Sequence, residues 1–396
     1  MRTKFDLLKT SLILLISSLL IISCADDFSA QIPYNPPLQT DDGIDVGTMD
    51  QVEMDTQYMS NCLWQIYNNK YDQVHSILVY KDDLLVFEEY MEGNKYAVDG
   101  PYFYGERIKW HMDSLHIIMS TTKSITSAII GIASDQGYID VNESIFTYLP
   151  DYLQYKESGK EAITVEHLLT MTTGLEWDEW HGAHGTTANS IDRIYIECQD
   201  DPLACILSAP LVNEPGSSFT YSGGNMILLG EILRNATGRD ILDFGTEFLF
   251  DPLGIDSVYW YHFDGGAYAC DGAAWMTPRD LLKIGILFLN NGNWKGQQLI
   301  SKAWVEKSTT IYGNNTGINV PLDDTGRNGY AYAWWTNTVS SPLGKVDIFQ
   351  ASGWGGQEII VIPDLNMTVV FTGGNYVVKK HIHEMLENYI LESLVI

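Results

Sequence analysis

The sequence predicts an α/β protein of the α+β kind. An antiparallel β-sheet is built from both chain ends and flanked by helices, with a mostly helical insertion at about residues 140–260. Three observations support this. Apolar runs typical of strands occur near residues 75–90 and again between residues 331 and 372. The stretch between them has mainly helical patterns. The helix that follows residue 120 is apolar on nearly all sides, which is typical of a helix at the centre of a large domain.

The composition is that of one large domain or two closely joined ones. The chain has 396 residues, of which 45% are hydrophobic and 12% aromatic. Its net charge is −28, and so acidic a surface repels nucleic acid and anionic lipid headgroups. We therefore expect no nucleic-acid partner. Because no Cys-x-x-Cys pair occurs, we also expect no zinc or redox site and no cofactor.

Residues 1–23 have the pattern of an export signal. Basic residues precede an apolar run, Leu12 to Ile22, that is too short to span a bilayer comfortably. The run ends at Ser23-Cys24, which resembles a bacterial lipoprotein signal cleaved before Cys24, with lipid on its sulfur. An ordinary signal peptide that contains a cysteine is the alternative. The lipoprotein interpretation predicts a membrane anchor at Cys24 and a place in the bacterial cell envelope, on the periplasmic face or the cell surface.

The segment after the signal, residues 24–50, is polar and contains Pro33, Pro36 and Pro37, so we predict a flexible tether. Residues 51–396 then form the folded domain. Periodicity and turn residues predict its elements in chain order. They are a helix over 54–67, strands over 75–80 and 84–90 joined by a turn at 81–83, the helix after residue 120, which stops at Gly137, a helix over 281–289, strands over 331–336, 346–350, 358–362 and 368–372, and a helix over 381–394.

The helix after residue 120 begins with Ser120-x-x-Lys123, which places both side chains on one helix face. Unpaired N–H groups at a helix start favour a developing oxyanion. Burial disfavours the charged form of a lysine, and a neutral amine can accept a serine proton. The alternative is structural, with Ser120 as a helix cap and Lys123 extending its amine to water.

Two further stretches accompany this motif. They are Phe219-Thr220-Tyr221-Ser222-Gly223-Gly224-Asn225 and Gln350-Ala351-Ser352-Gly353-Trp354-Gly355-Gly356-Gln357. In order and spacing the three resemble the motifs of the serine β-lactamase and penicillin-binding-protein superfamily. The resemblance is strongest to its esterase and 6-aminohexanoate-dimer-hydrolase branch. It extends from about residue 73 to residue 372 and implies the β-lactamase/transpeptidase-like version of the fold described above.

The resemblance implies a serine hydrolase that cleaves small esters or amides through an acyl-enzyme. Ser120 would be the nucleophile, Lys123 its base and Tyr221 the proton relay to the leaving group. The backbone N–H groups of Ser120 and Trp354 would form the oxyanion hole. By position, the residues expected to contact substrate are Ser352, Gly353, Trp354, Gly355 and Trp177. For Tyr221 and Trp177, packing in the core is the alternative.

The motifs depart from the lactamase pattern at two places. Ala351-Ser352-Gly353 replaces Lys-Thr-Gly, which removes the lysine that attracts a β-lactam carboxylate, and Gly223 stands where many members have Asn. Both changes argue against an efficient β-lactamase and favour an esterase or amidase. The chain has no Gly-x-Ser-x-Gly, so an α/β-hydrolase is not expected. A D-peptidase or weak β-lactamase, or a non-catalytic lipoprotein that binds peptidoglycan or another ligand, remains an alternative.

Two smaller features also have two interpretations. Cys198 and Cys205 are close enough in sequence to be bridged, but spacing alone does not fix pairing, and buried free thiols are the default for the cysteines after residue 24. The acidic residues Glu176, Asp178 and Glu179 either bind an amine on the substrate or belong to a solvated loop.

Overall fold

The computed structural model describes residues 32–395, so the predicted signal and the predicted lipidation site Cys24 lie outside the described residues. The strands of the described part are β1 (Val74–Lys81), β2 (Leu84–Tyr90), β3 (Glu92–Tyr96), β4 (Tyr104–Lys109), β5 (His116–Ile117), β6 (Tyr259–Trp260), β7 (Ala274–Met276), β8 (Asn293–Trp294), β9 (Gln297–Gln298), β10 (Ile318–Asn319), β11 (Arg327–Tyr330), β12 (Trp335–Ser341), β13 (Gly344–Gly353), β14 (Gln357–Ile362) and β15 (Met367–Gly373).

The helices of the described part lie mainly between β5 and β10, with one before β1 and one after β15. They are α1 (Thr56–Tyr67), α2 (Thr121–Asp135), α3 (Ile145–Tyr148), α4 (Val165–Leu169), α5 (Ser190–Glu197), α6 (Pro202–Leu207), α7 (Gly223–Thr237), α8 (Ile241–Gly245), α9 (Asp251–Leu253), α10 (Pro278–Leu289), α11 (Lys302–Thr309) and α12 (Ile382–Met385). Short 3-10 turns span Met49–Val52, Pro101–Phe103, Pro150–Tyr155, Lys160–Ala162 and Pro363–Leu365, and π-helical turns continue α8 over Thr246–Phe250 and α12 over Leu386–Leu391.

One large antiparallel sheet combines the two ends of the domain. Over residues 32–395 its eight strands follow the order β10-β11-β12-β13-β14-β15-β1-β2. Strand β1 pairs with β2 on one side and with the last strand, β15, on the other. The predicted fold class is confirmed: the sheet is antiparallel, both chain ends contribute to it, and the segment between β5 and β10 is mostly helical.

The sheet separates two hydrophobic cores. Alternation along β1 directs Leu78 to one face and Val79 to the other. The first face packs on α2 and α10, and the second on α1 and the C-terminal helical turns. Helix α2 is buried from Thr121 to Ala133, as its all-round apolar pattern predicts. No helix within residues 32–395 is long and apolar enough to cross a membrane.

The predicted strand over 331–336 is wrong over its first four residues, and only its last two belong to a strand, β12. Ala331 to Trp334 form the tight connection between β11 and β12. Ala333 has φ of 60°, and its carbonyl accepts a hydrogen bond from Ser124 of α2 at 2.6 Å. The run is apolar because it packs beneath α2, and a short buried run looks the same in sequence whether it is a strand or a turn.

The N-terminal segment also differs from its prediction. The sequence predicts a flexible tether over 24–50, but residues 32–50 pack on the domain. Val46 forms a bridge with Leu85 of β2, and the Ile44 side chain is only 2% exposed. The guanidinium of Arg279 donates to Asp42 at 2.8 Å and to the carbonyl of Leu38 at 2.8 Å. Proline-rich composition predicts extended backbone, but it does not show that a segment is free of the domain.

The four cysteines of the described chain divide into two kinds. Cys198 and Cys205 form a disulfide that links the end of α5 to α6. Cys62 and Cys270 are free and buried, which is the default expected from the sequence.

Candidate active site

Ser120 lies at the start of α2, one turn before Lys123. Its backbone is helical, with φ of −64°, and its side chain makes no capping hydrogen bond to the helix. Instead the Ser120 hydroxyl accepts a hydrogen bond from Lys123 Nζ at 3.1 Å. Met119, just before it, has φ of 46°, an uncommon conformation for a residue with a side chain and one that tends to occur at functional sites. Because the Ser120 side chain makes no capping hydrogen bond, the alternative of a helix-capping Ser120 is excluded.

Lys123 is buried, with 3% of its surface exposed, so it does not extend to water. Its Nζ also donates to the backbone carbonyl of Asp271 at 2.6 Å. Burial lowers the pKa of Lys123, but Tyr221, Glu179 and Asp271 together raise it by more, so the net direction is upward. The neutral lysine expected from burial alone is therefore not the resting state, because two buried carboxyl groups accompany the amine.

Tyr221 lies beside the Ser120–Lys123 pair. Its ring centroid is 4.9 Å from Lys123 Nζ. The ring is held between Trp180, with centroids 5.4 Å apart, and Trp335, with centroids 5.7 Å apart. Burial raises the pKa of Tyr221, while Lys123 and Ser120 oppose the rise. The structure thus brings together the three residues for which the sequence predicts chemistry.

The end of β13 lies against the start of α2. A Cβ at Gly353 would be 2.5 Å from the Ile118 carbonyl oxygen, so only glycine fits there. Thr121 Oγ1 of α2 donates at 3.0 Å to the carbonyl of Gln357, the β14 residue that pairs with Gly353, so the same hairpin is bound to the helix start. Pairing of β13 with β12 ends at Gln350, so the edge of β13 over 351–353 continues beyond its neighbour.

Trp354 follows this edge and is enclosed by aromatic rings. Its indole donates to the Tyr376 carbonyl at 2.7 Å, and its ring centroid is 4.3 Å from His184 and 4.9 Å from Phe103. The role of its backbone N–H in an oxyanion hole stays a prediction. Gly355 has φ of 89° and lies against Tyr376, so the turn itself explains this glycine.

Two residues predicted to contact substrate are engaged elsewhere. Ser352 donates to Glu358 at 2.7 Å and accepts from Lys380 at 3.1 Å. Strand alternation puts it on the face opposite Gly353, away from α2. Trp177 is 9% exposed, and its indole donates to Glu179 at 2.6 Å. It therefore packs against Glu179 in the interior.

Sequence reasoning missed Asp271 and underestimated Glu179. Glu179 is 8% exposed and Asp271 is 4% exposed, so the acidic run 176–179 is not simply a solvated loop. Asp271 accepts a hydrogen bond from Tyr195 at 3.0 Å. Burial raises the pKa of Glu179 and of Asp271, and the charge of Lys123 opposes the rise in both. The cluster Ser120, Lys123, Glu179, Tyr221 and Asp271 is hereafter called the lysine cluster.

The antiparallel sheet with a helical insertion, and a Ser-x-x-Lys pair at the start of a buried helix, define the serine β-lactamase and penicillin-binding-protein superfamily. Residues 76–376 match the family model described as Beta-lactamase, and the chain belongs to that family.

Three similar proteins illustrate the range of the family. The chain is 23% identical over 270 residues to the 6-aminohexanoate-dimer hydrolase of Paenarthrobacter ureafaciens, covering 65% of this chain and 66% of that protein. It is 24% identical over 255 residues to Protein flp of Staphylococcus aureus (strain MW2), covering 59% of this chain and 48% of that protein. The crystal structure of a family VIII carboxylesterase superposes with a TM-score of 0.61 at 17% identity, covering 87% of this chain and 94% of that one. The chain thus spans about half to two thirds of the length of these two sequence relatives.

Proposed function

We propose that the protein is a serine hydrolase that cleaves ester or amide bonds through an acyl-enzyme on Ser120. The observation that carries the proposal is the hydrogen bond of 3.1 Å between Lys123 Nζ and Ser120 Oγ, made by a serine that does not cap its helix. A buried amine and a phenol beside a serine hydroxyl supply the base and the acid that acyl transfer needs.

In the proposed reaction, Ser120 Oγ attacks the substrate carbonyl and its proton passes to the Lys123–Tyr221 pair. Because Lys123 is protonated at rest, the reactive form is the minor one in which the pair has lost one proton. The Tyr221 phenol then gives a proton to the leaving group. Water attacks the acyl-enzyme in the second half-reaction, and the same pair accepts its proton. The N–H groups of Ser120 and Trp354 are the proposed oxyanion donors.

The aromatic surroundings favour a substrate with apolar or planar parts. Trp180 and Trp335 flank Tyr221 on one side of the site, and Trp354 and Phe103 lie on the side of the β13 edge. Two of the three similar proteins named above are a 6-aminohexanoate-dimer hydrolase and a carboxylesterase, which supports the proposal of an amide or ester substrate. We do not propose an efficient β-lactamase, because Ala351 of β13 stands where the third motif of the lactamases has its lysine.

Covalent labelling tests the proposal directly. Intact-mass detection of a fluorophosphonate adduct is expected for the wild type and for Ser134→Ala, a serine at the other end of α2. Ser120→Ala is expected to lose the adduct and to lose hydrolysis of p-nitrophenyl esters. Because the Ser120 side chain does not cap the helix, the variant should unfold at nearly the wild-type denaturant midpoint.

An unchanged adduct on Ser120→Ala would show that the nucleophile is another residue. A wild-type protein that forms no adduct and turns over no substrate in a panel of esters, D-peptides, β-lactams and aminohexanoate oligomers would favour the alternative, a non-catalytic binding protein on the same fold.

A further inference from the structure

The side chain missing at Gly223 leaves a space that an acid from another loop fills. A Cβ built on Gly223 would be 2.9 Å from Glu179 Oε1 and 3.0 Å from the Cβ of Asp271. Gly223 has no positive φ, so its backbone does not require glycine. A side chain at residue 223 would need the volume that the Glu179 carboxylate occupies together with Ile191 Cδ1, which is also 2.9 Å from that Cβ.

Glu179 is held there by two donors. Its Oε1 accepts from the Trp177 indole at 2.6 Å and from the backbone N–H of Gly223. Gly223 is the first residue of α7, a helix of 15 residues, so the carboxylate also lies at a helix N-terminus, which favours negative charge. A buried carboxyl with these partners and 8% exposure is fixed in place.

The groups that face Glu179 include Lys123 and Tyr221, which perform the proposed proton transfers. Lys123 approaches from α2, Tyr221 from the segment before α7, Asp271 from the segment before β7 and Tyr330 from β11, and each interacts electrostatically with Glu179 or with its neighbours in the cluster. Of the titratable groups in the lysine cluster, Lys123 alone is cationic, and it is accompanied by two carboxyl groups. A change in the charge at residue 179 therefore changes how readily Lys123 and Tyr221 lose a proton.

We infer that Glu179 is a positioning residue for the reaction proposed above: it fills the place of the side chain absent at Gly223, and its charge sets the protonation of the Lys123–Tyr221 pair. The inference rests on the proposed function of that site. Glu179 acts through Lys123 and Tyr221, and its burial behind them leaves no role in direct contact with substrate.

The inference predicts a displaced pH profile. Glu179→Gln keeps the size of the side chain and an oxygen that accepts from Trp177 and Gly223, but it removes the charge. Without that charge the protonated form of Lys123 is less stabilised, and Tyr221 also loses its proton more readily. Both effects move the acid limb of kcat/KM for a p-nitrophenyl ester to lower pH. The expected displacement is about one pH unit, the lower end of the pKa changes that a close charge typically causes. KM should change little.

The matched control is Glu176→Gln, the same substitution three residues earlier at an exposed position. It should leave the acid limb at the wild-type pH. An acid limb of Glu179→Gln that coincides with those of the wild type and the control would overturn the inference. The proposed function would still stand in that case, because it is judged by the Ser120 adduct and not by the pH profile.

Glu179→Asp provides a second test if the glutamine variant does not fold. The shorter carboxylate keeps the charge but places it farther from the pair, so a smaller displacement of the acid limb to lower pH is expected. If Glu179→Asp has a lower Tm but the acid limb and the kcat/KM of the wild type, Glu179 serves packing alone. This result would also overturn the inference.

Discussion

At the residue scale, the position of Tyr221 suggests which bond cleavages depend on it. The phenol ring is fixed between Trp180 and Trp335 and lies over Lys123, so its hydroxyl has little freedom. Burial raises its pKa, which keeps the phenol protonated at neutral pH and able to donate. An amide needs that proton because an amine leaves poorly without it, whereas p-nitrophenolate leaves as an anion.

Tyr221→Phe is therefore expected to slow amide hydrolysis more than hydrolysis of an activated ester. General acid catalysis is typically worth about a hundredfold to ten-thousandfold, so the ratio of amide to ester turnover should fall by at least about a hundredfold. Steady-state rates on an amide and burst kinetics on a p-nitrophenyl ester measure the ratio. Tyr138→Phe, at an exposed tyrosine, is the control. Equal losses on both substrates would leave Tyr221 as a residue that only positions its neighbours.

The sequence predicts part of this site and not the rest, for a physical reason. Ser120 and Lys123 are one helical turn apart, so their contact follows from local periodicity. Tyr221 is found only through the resemblance of its motif. Glu179 and Asp271 belong to loops far from Lys123 in sequence, and no local pattern encodes their approach. The glycine at 223 was the available signal, since an absent side chain close to Tyr221, the proposed proton donor, leaves room for another group.

At the element scale, buried apolar patterns predict where strands and helices lie but not how short runs turn. Strands β13, β14 and β15 were within reach of prediction because β14 and β15 are buried throughout and β13 is buried from Ile348 to Ala351. The run 331–334 has the same composition and turns sharply instead, because Ser124 and Ser127 of α2 bind its carbonyl groups. Those partners are about 200 residues away in sequence, as the separations of 209 and 205 for the two hydrogen bonds show.

Arg279 of α10 fastens the N-terminal segment to the sheet. Its guanidinium binds both carboxylate oxygens of Glu88 on β2, at 2.7 and 2.6 Å, together with Asp42 and Thr40 of the segment. The side chains of Arg279 and Glu88 are 6% and 3% exposed. Removing the arginine leaves the Glu88 charge buried without its partner, a change that typically costs about 3–5 kcal/mol.

Arg279→Ala is therefore expected to lower the free energy of unfolding by about 3 kcal/mol, measured by urea denaturation. It should also expose the segment before residue 50 to limited proteolysis, since its main polar anchor is lost. Arg239→Ala is the matched control, because Arg239 also binds two carboxylates, Asp243 and Glu247, but at the surface. The prediction fails if the two variants are equally stable or if the cleavage pattern does not change.

At the scale of the whole molecule, the packed N-terminal segment changes how an anchored protein would be arranged. Chain order places residues 25–31 between Cys24 and the described domain, and seven residues span at most about 25 Å when fully extended. A long flexible tether over 24–50 would have allowed a much greater reach. If Cys24 carries a lipid, the domain is held close to the bilayer.

We propose that lipid on Cys24 attaches the protein to the membrane. Residues 32–395 contain no helix able to cross a membrane, and the net charge of −28 repels anionic headgroups. Cys24→Ser is therefore expected to move the protein from the membrane fraction to the soluble fraction and to abolish incorporation of an alkyne fatty acid. Ser29→Ala, a change in the same stretch that leaves the cysteine, should do neither. Continued membrane association of Cys24→Ser would instead indicate a protein partner or an uncleaved signal as the means of attachment.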